Sequence, residues 1–128
     1  MTLLERYEQI VGTQEVNRLR SLAERLSGRR IVHVNSTKSG GGVAEILGWM
    51  VPLMKELGLD VRWEVISGPP DFYRVTKALH NGLQGLPVLF RPRDFELHHE
   101  VDKQNAEQLN LAADVVIVHD PQPIFLPA

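Results

Sequence analysis

Apolar positions in this chain follow two different periods. Short runs at residues 31–35, 61–66 and 115–118 are rich in Val and Ile and predict strands, the last of them fully buried. Elsewhere apolar residues recur at intervals of three and four, which predicts helices over about 3–10, 13–28, 43–57 and 70–82. Thr13 is the candidate N-cap of the second helix. The alternation of strands and helices predicts an α/β fold with a parallel sheet flanked by helices.

The stretch between the second and third predicted strands is more polar. A loop at residues 87–93 leaves room for a short strand at 88–90, and a mostly polar helix is predicted over about 94–111. His98, His99, Glu100 and Asp102 lie close together on this helix, but their spacing does not suit a metal ion. We interpret them as a solvated face and expect no metal site.

Three consecutive glycines, Gly40, Gly41 and Gly42, separate the first strand from the following helix. Glycines let backbone amides approach a ligand without obstruction by a Cβ atom, and the start of a helix presents free N–H groups and a positive dipole end. An anionic or polyhydroxylated ligand suits such a corner. The alternative is a tight turn that binds nothing.

Two well-known glycine loops fit this segment poorly. A Walker loop has its lysine after the glycines, whereas Lys38 precedes them. The dinucleotide fingerprint needs a third glycine at the position that Glu45 occupies. The loop is therefore predicted to be a phosphate or sugar site of another kind.

A second polar segment, beginning with His119 and Asp120, follows the third predicted strand directly. Open parallel sheets bind ligands in the crevice at the carboxyl ends of their strands, and the glycine loop opens at the same edge. The two loops are therefore expected to line one site. Its candidate residues are Ser36, Thr37, Lys38, Gly40, Gly41, Gly42, Val43, His119 and Asp120, with no catalytic residue assigned.

Composition narrows the classes of partner. The 128 residues suit one domain, and a net charge of −2 gives no electrostatic footprint for nucleic acid. Without cysteine the chain has neither disulfides nor thiolate metal ligands. No apolar run is long enough to span a bilayer, and the N-terminus does not read as a signal peptide. We expect a cytoplasmic protein with no cofactor and no nucleic-acid or membrane partner.

Several motifs occur in the same order as in trehalose synthases. They are HVNST at 33–37, GGGVAEIL at 40–47, VPL at 51–53, VTK and HNGLQG within 75–85, and VHDPQP at 118–123. The chain thus resembles the trehalose glycosyltransferring synthases and trehalose phosphorylases. These are retaining glycosyltransferases of family 4, built from two Rossmann-like domains that face a cleft. The resemblance covers nearly the whole chain.

The resemblance implies transfer of glucose from a nucleoside diphosphate glucose to glucose, or in related members from trehalose to phosphate. The amides of Gly41, Gly42 and Val43 would then stabilise charge on the leaving diphosphate. His119 and Asp120 would bind sugar or shape their loop. Expected partners are therefore the nucleotide sugar and glucose or trehalose.

The resembled enzymes continue beyond the last motif into further strands and a carboxyl-terminal domain that carries donor-binding residues. We therefore expect residues 1–128 to form one truncated Rossmann-like domain, with 1–29 as a helical extension, that is inactive alone. The open sheet edge predicts a homo-oligomer or completion by a missing carboxyl-terminal domain. The alternative is a noncatalytic module that binds sugar or nucleotide or serves in assembly.

Overall fold

A computed structural model describes residues 1–127 of the chain. Three parallel strands, β1 (Arg30–Asn35), β2 (Asp60–Val65) and β3 (Val115–Val118), form one sheet in the order β2-β1-β3. The five helices around it are α1 (Leu3–Val11), α2 (Thr13–Glu24), α3 (Gly42–Glu56), α4 (Pro70–Leu83) and α5 (Pro92–Gln108). The predicted α/β class is confirmed, and the architecture is that of a partial Rossmann-like domain.

Helices cover both faces of the sheet because successive side chains of the central strand β1 point in opposite directions. Ile31 shares a buried cluster with Leu47 of α3. Val34 lies in a second buried cluster, with Phe72 of α4 and Val101 of α5. The result is a three-layer arrangement in which the carboxyl ends of the strands stay open for a site.

The amino-terminal helix α1 is fixed at its first turn. Thr2 and Glu5 form a reciprocal capping box, and the carboxylate of Glu56 on α3 accepts hydrogen bonds from Leu3 N (3.0 Å) and Leu4 N (2.7 Å). These amides satisfy donors that a helix start leaves open, and they lower the pKa of Glu56. Helix α1 is thereby tied to the end of α3.

The predicted N-cap at Thr13 is wrong. Gly12 occupies the cap position with a φ of +86°, and Thr13 is the first residue of α2. A single left-handed residue joins α1 to α2, which is a conformation that glycine adopts without strain.

Two expectations about the second half of the chain are also wrong. Residues 88–90 form no strand, because Val88 folds back against Gly82 at the end of α4 instead of reaching the sheet. Strand β3 is not fully buried: Val115 and Val116 are each 40% exposed. The cause is its place at the edge of the sheet, where one side lacks a neighbour.

An exposed apolar groove lies between α1 and α3. It is lined by Tyr7, Ile46 and Trp49, among others. The apolar stripe of α3 is thus wider than the face that the helix buries against the sheet. Within residues 1–127, no helix combines the length and apolar character needed to cross a membrane.

Candidate functional site

A cavity of about 490 Å³ opens at the carboxyl edge of the sheet. Its first wall consists of residues 35–37 and 40–44, from the end of β1 into the first turn of α3. Helix α4 forms the second wall, and Asp120 and Gln122, from the segment after β3, form the third. The glycine loop and the segment after β3 therefore do line one cavity.

The glycine loop owes its composition to backbone conformation. Gly40 and Gly41 have φ values of +72° and +103°, which L-residues with a side chain rarely adopt. Gly41 is the N-cap of α3 and offers no side chain to cap it, so the amides of the first turn keep no side-chain partner. These amides and the positive end of the helix dipole stand at the cavity wall, where an anion or a hydroxyl oxygen would satisfy them.

Asn35 holds the start of this loop in place. Its Nδ2 donates to Thr37 O at 2.7 Å, and its Oδ1 accepts from Trp63 Nε1 at 2.8 Å. The side chain is buried, so both ends of its amide find partners inside the protein. Asn35 thereby links the loop to β2.

Lys38 does not line the main cavity. Its Nζ lies 5.7 Å from the centre of the Trp63 ring, in cation–π geometry. The residue lines an adjoining depression together with Ser39 and Glu45. Of the predicted residues before the glycines, Ser36 and Thr37 line the cavity and Lys38 does not.

The wall formed by α4 was missed by sequence reasoning. It presents Tyr73, Thr76, Lys77 and His80, which follow the i, i+3, i+4, i+7 spacing of one helical face. Thr76 is fully buried, whereas Lys77 and His80 are exposed and bring cationic or polar groups opposite the glycine loop. The same spacing is present in the sequence. Polar residues at helical spacing are equally typical of a solvent-exposed helix face, so the spacing alone does not predict a cavity wall.

His119 and Asp120 lie in different surroundings, and only Asp120 contacts the cavity. Asp120, with a left-handed φ of +68°, lines the cavity. His119 instead packs on His33, with ring centres 5.2 Å apart and His33 Nδ1 2.9 Å from His119 Nε2. His33 is buried, and burial together with the neighbouring His119 lowers its pKa.

The predicted solvated face of α5 is wrong for two of its members. His98 and Asp102 are 1% and 0% exposed, while His99 and Glu100 face solvent. The two buried side chains lie under the segment that follows β3, which supplies the polar partners that a buried imidazole and carboxylate require. Within residues 1–127 no group of three His, Cys, Asp or Glu side chains has a geometry that would hold a metal ion.

Comparison with known proteins gives a consistent match. The family described as trehalose synthase, N-terminal domain, matches residues 33–128. A trehalose synthase of Pyrococcus horikoshii is 48% identical over 125 residues, covering 96% of this chain and 30% of the relative. A trehalose synthase of Rubrobacter xylanophilus is 41% identical over 123 residues, covering 94% of this chain and 30% of the relative.

A more distant match is a trehalose phosphorylase of Pleurotus pulmonarius, 35% identical over 136 residues, with 93% of this chain and 18% of the relative covered. The chain spans about 30% of the length of the trehalose synthases that it matches.

Proposed function

Since the chain belongs to the trehalose synthase family and matches its N-terminal domain, we propose that it is the amino-terminal domain of a glycosyltransferase that moves glucose from a nucleoside diphosphate glucose to glucose. The observation that carries this proposal is the cavity where the first-turn amides of α3 face Lys77 and His80 of α4. Amides and a cation on opposite walls suit a ligand that combines negative charge with hydroxyl groups.

Each wall has a role in the proposed reaction. The amides of Gly41, Gly42 and Val43 stabilise the negative charge that develops on the leaving diphosphate, which requires no proton transfer. Lys77 contributes a positive charge from the opposite side. Polar groups for sugar or phosphate oxygens come from Ser36, Thr37 and Asp120 in the cavity. Lys38 offers a further one from the adjoining depression.

We further propose that residues 1–128 form one truncated Rossmann-like domain, that residues 1–29 are a helical extension of it, and that the chain is inactive alone. Two helices precede β1, and α1 packs on α2 and α3. The walls described so far come from the carboxyl edge of one sheet, whereas a glycosyl transfer between two sugars needs both bound at once. A missing carboxyl-terminal domain or a second copy of the chain would supply the remainder.

A chimera tests the activity directly. The segment of the Pyrococcus horikoshii trehalose synthase that aligns with this chain is replaced by it, and the chimera is incubated with UDP-, ADP- or GDP-glucose plus glucose. Nucleotide release and disaccharide formation are followed together, with trehalose plus phosphate as a separate assay for the phosphorylase direction. The isolated chain runs in parallel.

The proposal expects disaccharide from the chimera and none from the isolated chain. A folded chimera that binds a nucleotide sugar without turnover would favour a noncatalytic binding module instead. A folded chimera that binds neither nucleotide sugar nor glucose would favour an assembly role. Turnover by the isolated chain would overturn the proposed need for a further domain.

A further inference from the structure

A histidine and an aspartate inside α5 hold the segment that follows β3. His98 Nε2 lies 2.7 Å from the carbonyl oxygen of Gln122, and Asp102 Oδ2 accepts from Phe125 N at 2.9 Å. The two side chains approach each other to 3.5 Å between His98 Nε2 and Asp102 Oδ2. They thus contact the backbone at both ends of residues 122–125.

The surroundings of His98 favour its protonated form. From the segment after β3 it faces the carbonyl groups of Pro121 and Gln122 and, 4.8 Å away, the ring of Phe125. From its own helix it faces the carboxylate of Asp102. Helix α4 contributes the uncharged ring of Phe72 at 5.4 Å.

Asp94 stands one turn before His98, but its carboxylate accepts from Arg91 N at 2.9 Å and pairs with Arg74 at 3.8 Å. Burial alone would lower the pKa of His98. The hydrogen bond and charge of Asp102, with the two carbonyl groups, outweigh burial and raise this pKa above its ordinary value.

We propose that His98 and Asp102 are positioning residues for the cavity, which fix residues 120–126 through their contacts with Gln122 and Phe125 and so set where Asp120 and Gln122 stand in its wall. The ligand part of this inference rests on the proposed function. The positioning part stands on the contacts alone.

The conformation of Asp120 explains why this segment needs the contacts with His98 and Asp102, which we call the clamp. A φ of +68° is uncommon for a residue with a side chain and persists only where neighbouring contacts hold it. Upstream, His119 N donates to Val34 O at 2.9 Å, and downstream the segment is held by His98 and Asp102.

Loss of the proton from His98 would leave the Asp102 carboxylate buried without a counter-charge. Asp102 Oδ1 already has no hydrogen-bond partner among the described residues. An isolated buried carboxylate is costly, so the segment is expected to shift until the charge reaches water.

The first test needs no ligand. Backbone amide NMR spectra of the chain are recorded from pH 6 to 8.5 for the wild type, Asp102→Asn and the control Glu107→Gln, an exposed carboxylate on the same helix. Asparagine still accepts from Phe125 N but carries no charge. We expect the amide signals of Gln122 and Phe125 to titrate together with His98, at a lower pH in Asp102→Asn and unchanged in Glu107→Gln.

The second test measures the dissociation constant of UDP-glucose by calorimetry over the same pH range. We expect this dissociation constant to rise about tenfold as His98 loses its proton. Tenfold is the factor for the loss of one charge-assisted hydrogen bond between the shifted segment and the ligand. This pH-dependent change in affinity should move to lower pH in Asp102→Asn. It should disappear in His98→Gln, whose side-chain amide can still donate to Gln122 O and does not titrate.

The two proposals fail separately. If the amide signals of residues 120–126 do not change as His98 loses its proton, the positioning role of His98 and Asp102 is wrong. Coupled amide signals without UDP-glucose binding at any pH would support the clamp and count against the proposed function. If Asp102→Asn does not fold, the comparison of wild type with His98→Gln decides in the same way.

Discussion

His33 of β1 and His119, which directly follows β3, share a hydrogen bond, with 2.9 Å between Nδ1 of the first and Nε2 of the second. A donation by His119 would place the hydrogen of neutral His33 on Nε2, which is buried and has no partner among the described residues. An orphaned N–H is rarer than an orphaned acceptor in proteins. His33 therefore donates from Nδ1, and its own Nε2 stays an unprotonated acceptor.

This arrangement makes the folded chain sensitive to acid. The pKa of His33 is lowered from 6.5, so its contribution to stability is complete above that pH. It is lost as pH falls below 6.5, by up to about 1.4 kcal/mol per pH unit, until the folded-state pKa is reached. We expect His33→Phe to flatten the acid limb of the stability curve, measured by urea unfolding at pH 5, 6 and 7.

The exposed His99 provides the control for this experiment. His99→Gln should keep the acid limb of the wild type, and an equally steep limb in His33→Phe would refute the assignment. His98 acts in the opposite sense. Because its pKa is raised in the folded state, His98 stabilises the folded chain fully below pH 6.5. This stabilisation is lost as the pH rises through the folded-state pKa of His98.

Gly41 should not tolerate a side chain. With φ at +103°, Gly41→Ala is expected to cost roughly 1–3 kcal/mol of unfolding free energy, although a Cβ there would meet nothing within 4 Å. Gly48 lies inside α3, also in open space, and Gly48→Ala should stabilise by roughly 0.5–1 kcal/mol. Urea unfolding of both variants checks this pair, and equal effects would show that backbone conformation does not set the requirement.

Lys77 should matter for a charged ligand and not for a neutral one. Replacement by Gln is expected to weaken UDP-glucose binding roughly tenfold and to reduce its salt dependence, because one cation at the cavity wall is lost. Glucose binding should change little. Lys103→Gln, on the exposed face of α5, is the matched control in calorimetry, and a similar loss in both variants would argue against a diphosphate at α4.

Self-association is expected at the open edge of the sheet. Val116 of β3 is 40% exposed beside backbone groups that have no neighbouring strand. Val116→Lys should therefore shift sedimentation equilibrium of the chain toward monomer, since an edge lysine opposes strand pairing. A wild-type chain that remains monomeric at high concentration would rule out the homo-oligomer.

The elements that sequence reasoning placed well are those with a strong local pattern. Strands β1 and β2 and helices α1, α3 and α4 follow from apolar periodicity, and the glycine loop at 40–42 follows from the conformations that only glycine adopts freely. Local patterns also placed Asp120 at the same edge of the sheet.

The misses share one physical cause, which is that burial depends on distant partners. His98 and Asp102 read as surface residues because their partners, Gln122 and Phe125, lie more than twenty positions away. Val115 and Val116 read as buried because the pattern of a strand does not reveal its place at the edge of a sheet. His119 turned from the cavity for a similar reason, since His33 lies 86 positions before it.

The strand order also bears on how the chain acquires its structure during synthesis. β1 is made first yet occupies the centre, and its pairing of Ile31 with Val115 must close a loop of about 80 residues. A growing chain can therefore join β1 to β2 early while the other edge of β1 waits for β3. A nascent polypeptide halted before residue 115 would display that edge to chaperones, and refolding after dilution from denaturant is expected to be limited by the same late closure.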